Sequence, residues 1–125
     1  MDFAAFKVAL EASRSFEASV DGAKFQLRMP TEHAWRVAYE RHRNQDGKLM
    51  LSSAMLELLS AAVVGWDGVT NRFFMPGGTE EALPFSVEAR ALLLENRQDI
   101  ADDLCIELTR RQLDRNKERE EARKN

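Results

Sequence analysis

The sequence predicts an α+β fold, predominantly α-helical, in which an N-terminal β-hairpin over about residues 14–29 packs against a bundle of about four helices. Three observations lead there. Phe16, Ala18 and Val20 alternate with polar neighbours, Asp21-Gly22 follows, and Phe25, Leu27 and Met29 alternate again, which is the period of a half-buried strand on each side of a turn. From Thr31 onward the apolar spacing changes to three and four, the period of a helix face. Between Lys48 and Val64 the chain is apolar around most of a helical girth, so that helix belongs at the centre of the core.

The hairpin has an internal check. Asp-Gly is the favoured two-residue type I′ turn because both positions tolerate positive φ. A two-residue turn pairs Val20 with Ala23, Ala18 with Phe25 and Phe16 with Leu27, and every apolar residue then falls on one face. A slip of one residue would send the two apolar sets to opposite faces.

Helices follow from caps and stripes. Phe3, Phe6 and Leu10 mark a short amphipathic helix over Phe3 to Ala12, with a strand as the alternative. Pro30 closes the hairpin and Thr31 caps a helix from Glu32 to about Arg43, with Ala34, Trp35, Ala38 and Tyr39 on its apolar side. Asn44 to Gly47 is a loop by composition. The helix from Lys48 to Val64 is expected to end at Gly65 as a left-handed cap. Trp66 to Phe85 is irregular, with turns at Asp67-Gly68 and Gly77-Gly78 and a strand fragment over Arg72 to Met75. Ser86 caps a helix containing Leu92, Leu93 and Leu94. Asn96 to Asp99 breaks it, and Asp99 caps a last helix with Ile100, Leu104, Leu108 and Leu113 or Gln112 in its stripe. Residues 1–113 form a single globular domain on this reading. Residues 114–125 alternate Arg and Lys with Glu and have almost nothing to bury, so they make a charged helical or disordered tail.

Composition narrows the function. The 125 residues are 44% hydrophobic, enough for one core, and the formal net charge of −3 argues against a nucleic-acid binder that works by neutralising phosphates. Arg110, Arg111, Arg115, Lys117, Arg119, Arg123 and Lys124 form the one basic-rich stretch, and interleaved acids cancel most of it. The start, Met1-Asp2-Phe3-Ala4-Ala5-Phe6-Lys7, has no positive region before a long apolar run, and no stretch reads as a membrane span. The expected location is the cytoplasm.

The parts for catalysis are sparse. His33 and His42 lie nine apart on one expected helix, outside any metal-ligand spacing. Asp102 and Asp103 are adjacent and point about 100° apart on a helix, so they cannot share a site. Cys105 is the single cysteine and reads as a structural thiol. Ser52, Ser53 and Ser60 have no histidine at workable spacing and read as back-bonded to helix carbonyls. Met75-Pro76-Gly77-Gly78-Thr79 lacks the lysine and the strand-to-helix setting of a phosphate loop. No enzyme, metal or cofactor is expected.

The stretch Val64-Gly65-Trp66-Asp67-Gly68-Val69, a variable loop, and then Leu83-Pro84-Phe85-Ser86-Val87-Glu88 resembles the tail assembly chaperones of long-tailed bacteriophages. There, an apolar helix ends in a Val-x-Gly-Trp-x-Gly-Val turn, a short loop leads to Pro-Phe-Ser-x-Glu, and a helix and an Arg-x-Asp break follow, here Arg97-Gln98-Asp99. The likeness runs from Lys48 to about Leu108. The loop Thr70 to Ala82 departs from it, being longer and more aromatic than the family's short acidic loop. Each anchor also has a physical reading. Trp66, behind a glycine cap, can fold back on the helix end with its indole N–H on a carbonyl. Pro84-Phe85-Ser86 joins a restricted entry, an apolar staple and a cap.

The resemblance implies a binding protein that coats the tape-measure protein, keeps it soluble and brings tail-tube subunits to it. It acts in the cytoplasm of the bacterial host and is absent from the finished virion. Such proteins are often made in two lengths through a backward ribosomal frameshift of one nucleotide, and Arg123-Lys124-Asn125 is compatible with a slippery A-AAA-AAC heptamer. Spacing along an extended partner implies weak self-association through heterologous contacts. Candidate partner contacts are Phe73, Phe74 and Met75, with core packing an equal or better reading for Phe73 and Phe74, and Arg110, Arg111, Arg115 and Arg119. Two other readings stay open: a head–tail connector or other phage structural protein, and a small nucleic-acid-binding regulator using residues 99–123.

Overall fold

The computed structural model describes residues 1–124. Five α-helices and three strands follow the order α1 (Phe3–Arg14), β1 (Ser15–Val20), β2 (Ala23–Arg28), α2 (Glu32–Arg41), α3 (Leu51–Ala62), β3 (Val63–Asp67), α4 (Val87–Asn96) and α5 (Gln98–Lys124). The fold is α+β and dominated by helix, as the residue pattern predicts.

The hairpin register is the one the apolar alternation demands, with Val20 opposite Ala23, Ala18 opposite Phe25 and Phe16 opposite Leu27. Asp21 and Gly22 have φ of 54° and 84°, the positive pair of a type I′ turn. Ala18, Val20, Ala23, Phe25 and Leu27 are buried on the inner face, while Glu17, Ser19 and Lys24 are exposed on the outer one.

The sheet has a third strand that was expected to be a helix end and a turn. Helix α3 stops at Ala62, and Val63–Asp67 runs straight on as β3, antiparallel to β2. Gly65 is therefore not a left-handed cap: it lies in β3 opposite Gln26 and is not among the positive-φ glycines. The physical reason is that β2 would otherwise carry a row of unpaired N–H and C=O groups. The β-branched pair Val63-Val64 suits the extended conformation that satisfies them. The register shifts between Gln26 and Leu27, leaving Val64 as an extra residue on β3.

Other boundaries move for local reasons. Helix α3 begins at Leu51 rather than Lys48, and α2 ends at Arg41 rather than Arg43. Asn44 Oδ1 accepts from the Asp46 and Lys48 amides, and Arg43 bridges Leu49. The loop thus consumes residues that the apolar pattern assigned to helices. Arg72 to Met75 is not a strand, because Asn71–Phe73 forms a 3-10 turn instead. Helix α5 starts at Gln98, so Asp99 stands in its first turn rather than at its cap.

One core cluster joins the sheet's inner face to Leu59 of α3, Ala89, Leu93 and Leu94 of α4, and Ile100, Ala101 and Leu104 of α5. A second gathers Met29, Ala38, Met55, Leu58, Ala62 and Leu108. Each fully buried leucine contributes about 1.5–3 kcal/mol against exposure. Helix α3 buries one broad face, and its Leu51 and Leu56 remain exposed. In α5 the stripe continues to Gln112, whose Oε1 accepts from Trp35 Nε1 at 3.1 Å, while Leu113 is exposed. Helix α5 continues past Leu113 through Lys124 with little buried; Asn125, the last residue of the expected tail, lies outside the described residues.

Candidate functional site

The fold brings the segments Val64 to Val69 and Leu83 to Glu88 together. Trp66 is buried on β3 and donates its indole N–H to the Leu83 carbonyl at 2.8 Å. Its ring stands edge-on to Phe25 on one side and to Phe85 on the other, at centroid distances of 6.1 and 5.1 Å. Such edge-to-face pairs add to the burial itself. The expectation of a buried Trp66 with its N–H on a carbonyl is met, but the ring does not fold back on a helix end. It is a strand residue facing the core.

Phe85 precedes the cap residue Ser86, whose Oγ accepts from the Ala89 amide at 3.0 Å. The partner of the staple is Arg90, with its guanidinium over the Phe85 ring at 6.0 Å and its Nη1 donating to the Val63 carbonyl at 2.8 Å. Pro84 is exposed. Gly68 closes the unit with φ of 88°, and a Cβ added there would meet Ala23 Cα and the Gly22 carbonyl oxygen, each at 3.4 Å. Residues 63–69 and 83–90 are thus one mutually supporting piece of the fold. Its aromatic anchors are turned inward, while Val64, Asp67, Pro84, Val87 and Glu88 face solvent.

The residues expected to touch a partner separate into different environments. Phe73 is buried in the main core and so is corrected from contact residue to core residue; Phe74 packs partly against the same cluster. A 3-10 turn directs these rings inward, whereas a strand would have alternated them. Met75 is 56% exposed and is the one of the three available to a partner. Arg110 pairs with Glu107, and Arg119 pairs with Glu32. Arg111 stacks over the Phe16 ring at 4.9 Å, and Arg115 Nη1 donates to the Ser13 carbonyl at 3.1 Å. Arg111, Arg115 and Arg119 hold α5 to other parts of its own chain, while Arg110 pairs within the helix.

Titratable groups are mostly engaged in structure. His42 Nε2 lies 3.3 Å from Glu57 Oε1, which also accepts from Arg41, and His33 Nδ1 meets Arg36. Partial desolvation pushes the Glu57 carboxyl up, but the hydrogen bonds and charges of Arg41 and His42 together hold it below the usual carboxylate range. Burial, with the Asp102 charge, pushes the Cys105 thiol up to about 11, so it stays protonated at neutral pH. Asp102 Oδ1 accepts from Gln98 Nε2, and Ser60 Oγ back-bonds to the Leu56 carbonyl. Among the described residues no group of three or more His, Cys, Asp or Glu is placed to hold a metal ion, and no helix is long and apolar enough to cross a membrane.

Two features were missed in the sequence. Arg97, read as part of a helix break, is a hub that joins Asp21, Asp99 and the Phe73 carbonyl. A groove of about 440 Å3 opens between the end of β2, α2 and α3, with Arg14 and Arg28 beside Met29, Val37, Leu58 and Ala61. Neither has a local signal, because each is assembled from segments far apart in the chain.

No protein-family model, no curated protein and no solved structure matches the chain.

Proposed function

We propose that this chain is a phage tail assembly chaperone. It binds the tape-measure protein in the cytoplasm of a bacterial host, keeps it soluble, recruits tail-tube subunits to it, and is left out of the mature virion. The observation that supports the reading most is the 2.8 Å hydrogen bond from Trp66 Nε1 to the Leu83 carbonyl. It makes one folded unit of the two segments that resemble the family, so the likeness lies in a coherent structural element rather than in scattered residues. The action is binding, with interaction surfaces in place of a reacting centre.

The test compares two preparations from cells assembling tails with the gene cluster that encodes this chain. Affinity capture of the tagged chain from lysate is expected to bring down the tape-measure and tail-tube proteins, while mass spectrometry of purified virions finds the chain absent. Recovery of the chain from virions in stoichiometric amount would contradict the chaperone reading and favour a connector.

A further inference from the structure

Strand β2 leaves the sheet beside a cleft that it charges and nothing neutralises. The alternation that buries Ala23, Phe25 and Leu27 turns Arg28 to the opposite face, where it lines the groove of about 440 Å3 between β2, α2 and α3. Ala34 of α2 and Ala61 and Ala62 of α3 each put a single carbon into the space between the helices, which leaves it open. Met29, Val37 and Leu58 make the rest of the wall apolar.

The charge on this wall is uncompensated. Arg28 is in no ion pair among the described residues, and its Nε is shut from solvent with no hydrogen-bond partner. A buried donor left this way costs stability. Arg14 adds a second cation with no paired carboxylate, its Nε donating to the Met29 carbonyl at 2.9 Å. It also borders the cleft beneath α5, where Asp114 and Glu118 make no ion pair with it. Glu57, the one carboxylate in the groove lining, is already held by Arg41 and His42, and His33 meets the cation of Arg36.

A net positive charge on an apolar wall selects the occupant. No Phe, Trp or Tyr lines the groove, so nucleic-acid bases find no ring to stack on. Two of its walls are helices, and Thr31, His33 and Ala61 at its rim are exposed. An open cleft of this form receives an amphipathic helix, whereas a small molecule calls for enclosure.

We infer that the groove binds an amphipathic helical segment of a partner protein, seating apolar side chains against Met29, Val37 and Leu58 and bringing an Asp or Glu carboxylate to Arg28. The carboxylate supplies the countercharge that the free chain lacks. This deepens the functional reading, on which it rests in taking the occupant to be a protein, by giving the binding a surface and the bound segment a chemistry.

Ala61→p-benzoylphenylalanine places a photo-crosslinker at the exposed rim of the groove in the full chain, and Met75→p-benzoylphenylalanine places one on a separate exposed surface. Cells expressing either variant with the neighbouring genes are irradiated, and mass spectrometry of the crosslinked peptides reads the occupant's sequence. Position 61 is expected to capture a segment with apolar residues at helical spacing and at least one Asp or Glu among them. A synthetic peptide of that segment should bind the purified chain, lose roughly tenfold or more in affinity with Arg28→Glu, and regain part of it when its own acid is changed to Lys. Arg28→Met should weaken binding too, while the free chain melts no lower than wild type, since the orphaned donor is gone.

An adduct to a second copy of this chain or to no protein, a captured segment without a carboxylate, or binding indifferent to Arg28→Glu overturns the inference. Dodecanoate binding in the groove with no protein adduct also overturns it and assigns the site to small amphiphiles. Tape-measure protein captured from position 75 alone overturns the inference and leaves the chaperone reading standing. An acidic amphipathic segment of some other protein captured from position 61 sustains the inference and counts against that reading.

Discussion

The Arg97 guanidinium donates to Asp21 Oδ2 at 3.0 Å, joining the break before α5 to a hairpin turn 76 residues away. The same side chain donates to both Asp99 oxygens at 3.0 and 2.8 Å and to the Phe73 carbonyl at 3.2 Å, and lies over the Phe73 ring. Three irregular segments are thereby fixed to one another. Arg97→Ala is expected to lower unfolding stability by about 1–2 kcal/mol, a charged hydrogen-bond network discounted for its partial exposure. Arg97→Lys should recover only part of this, because an ammonium cannot reproduce the fork. Urea unfolding of the two variants measures both.

The same hub gives a pH dependence. The Arg97 hydrogen bonds hold the Asp99 carboxyl at about 2, below its ordinary 3.8. A carboxyl depressed in the folded state stabilises fully above its unfolded pKa and loses that contribution as pH falls through the folded value. The loss therefore lies between about pH 4 and 2. Thermal melts taken down to that range should fall more steeply for the wild type than for Asp99→Asn. Glu57, also held low, adds a loss on acidification that Asp99→Asn leaves intact.

Trp66 tests the junction of the two motif segments. Trp66→Phe keeps most of the aromatic packing but orphans the Leu83 carbonyl, and should cost about 1–2 kcal/mol. Trp66→Ala should cost about 3–5 kcal/mol through the added cavity. Chemical denaturation separates the two, and equal losses would mean that the hydrogen bond contributes nothing.

The neighbouring glycines should respond differently. Gly68 has φ of 88°, and a Cβ there would stand 3.4 Å from Ala23 Cα and the Gly22 carbonyl. Gly68→Ala is expected to cost about 1–3 kcal/mol as left-handed strain. At Gly65 no positive φ is required, and a Cβ would meet the end of the flexible Gln26 side chain at 2.8 Å. Gly65→Ala should stay within about 1 kcal/mol of wild type, offset by strand entropy. A larger loss at Gly65 than at Gly68 would restore the cap role that β3 denies it.

The hairpin was legible because a period of two and an Asp-Gly turn admit one register. Ser86 and Thr31 were legible as caps because a cap is a local hydrogen bond. β3 was not, since Val63 to Asp67 continues an apolar helical run and becomes a strand only through the open edge of β2. Phe73 shows a related limit: an aromatic in an irregular loop reads equally as core or surface until the core it packs against is in place. The β2–α2–α3 groove and the Arg97 hub involve residues tens of positions apart, and no window of sequence contains them. The anchors Trp66 and Phe85 were recognisable as motif residues, but their partners Leu83 and Arg90 emerge only from the fold.

The most direct measurement of the proposed function is co-expression of the tape-measure protein with and without this chain, followed by separation of soluble and insoluble fractions. The chaperone account predicts that the tape-measure protein precipitates alone, stays soluble in the presence of the chain, and co-purifies with it. A tape-measure protein that precipitates equally beside abundant, folded copies of this chain would contradict it.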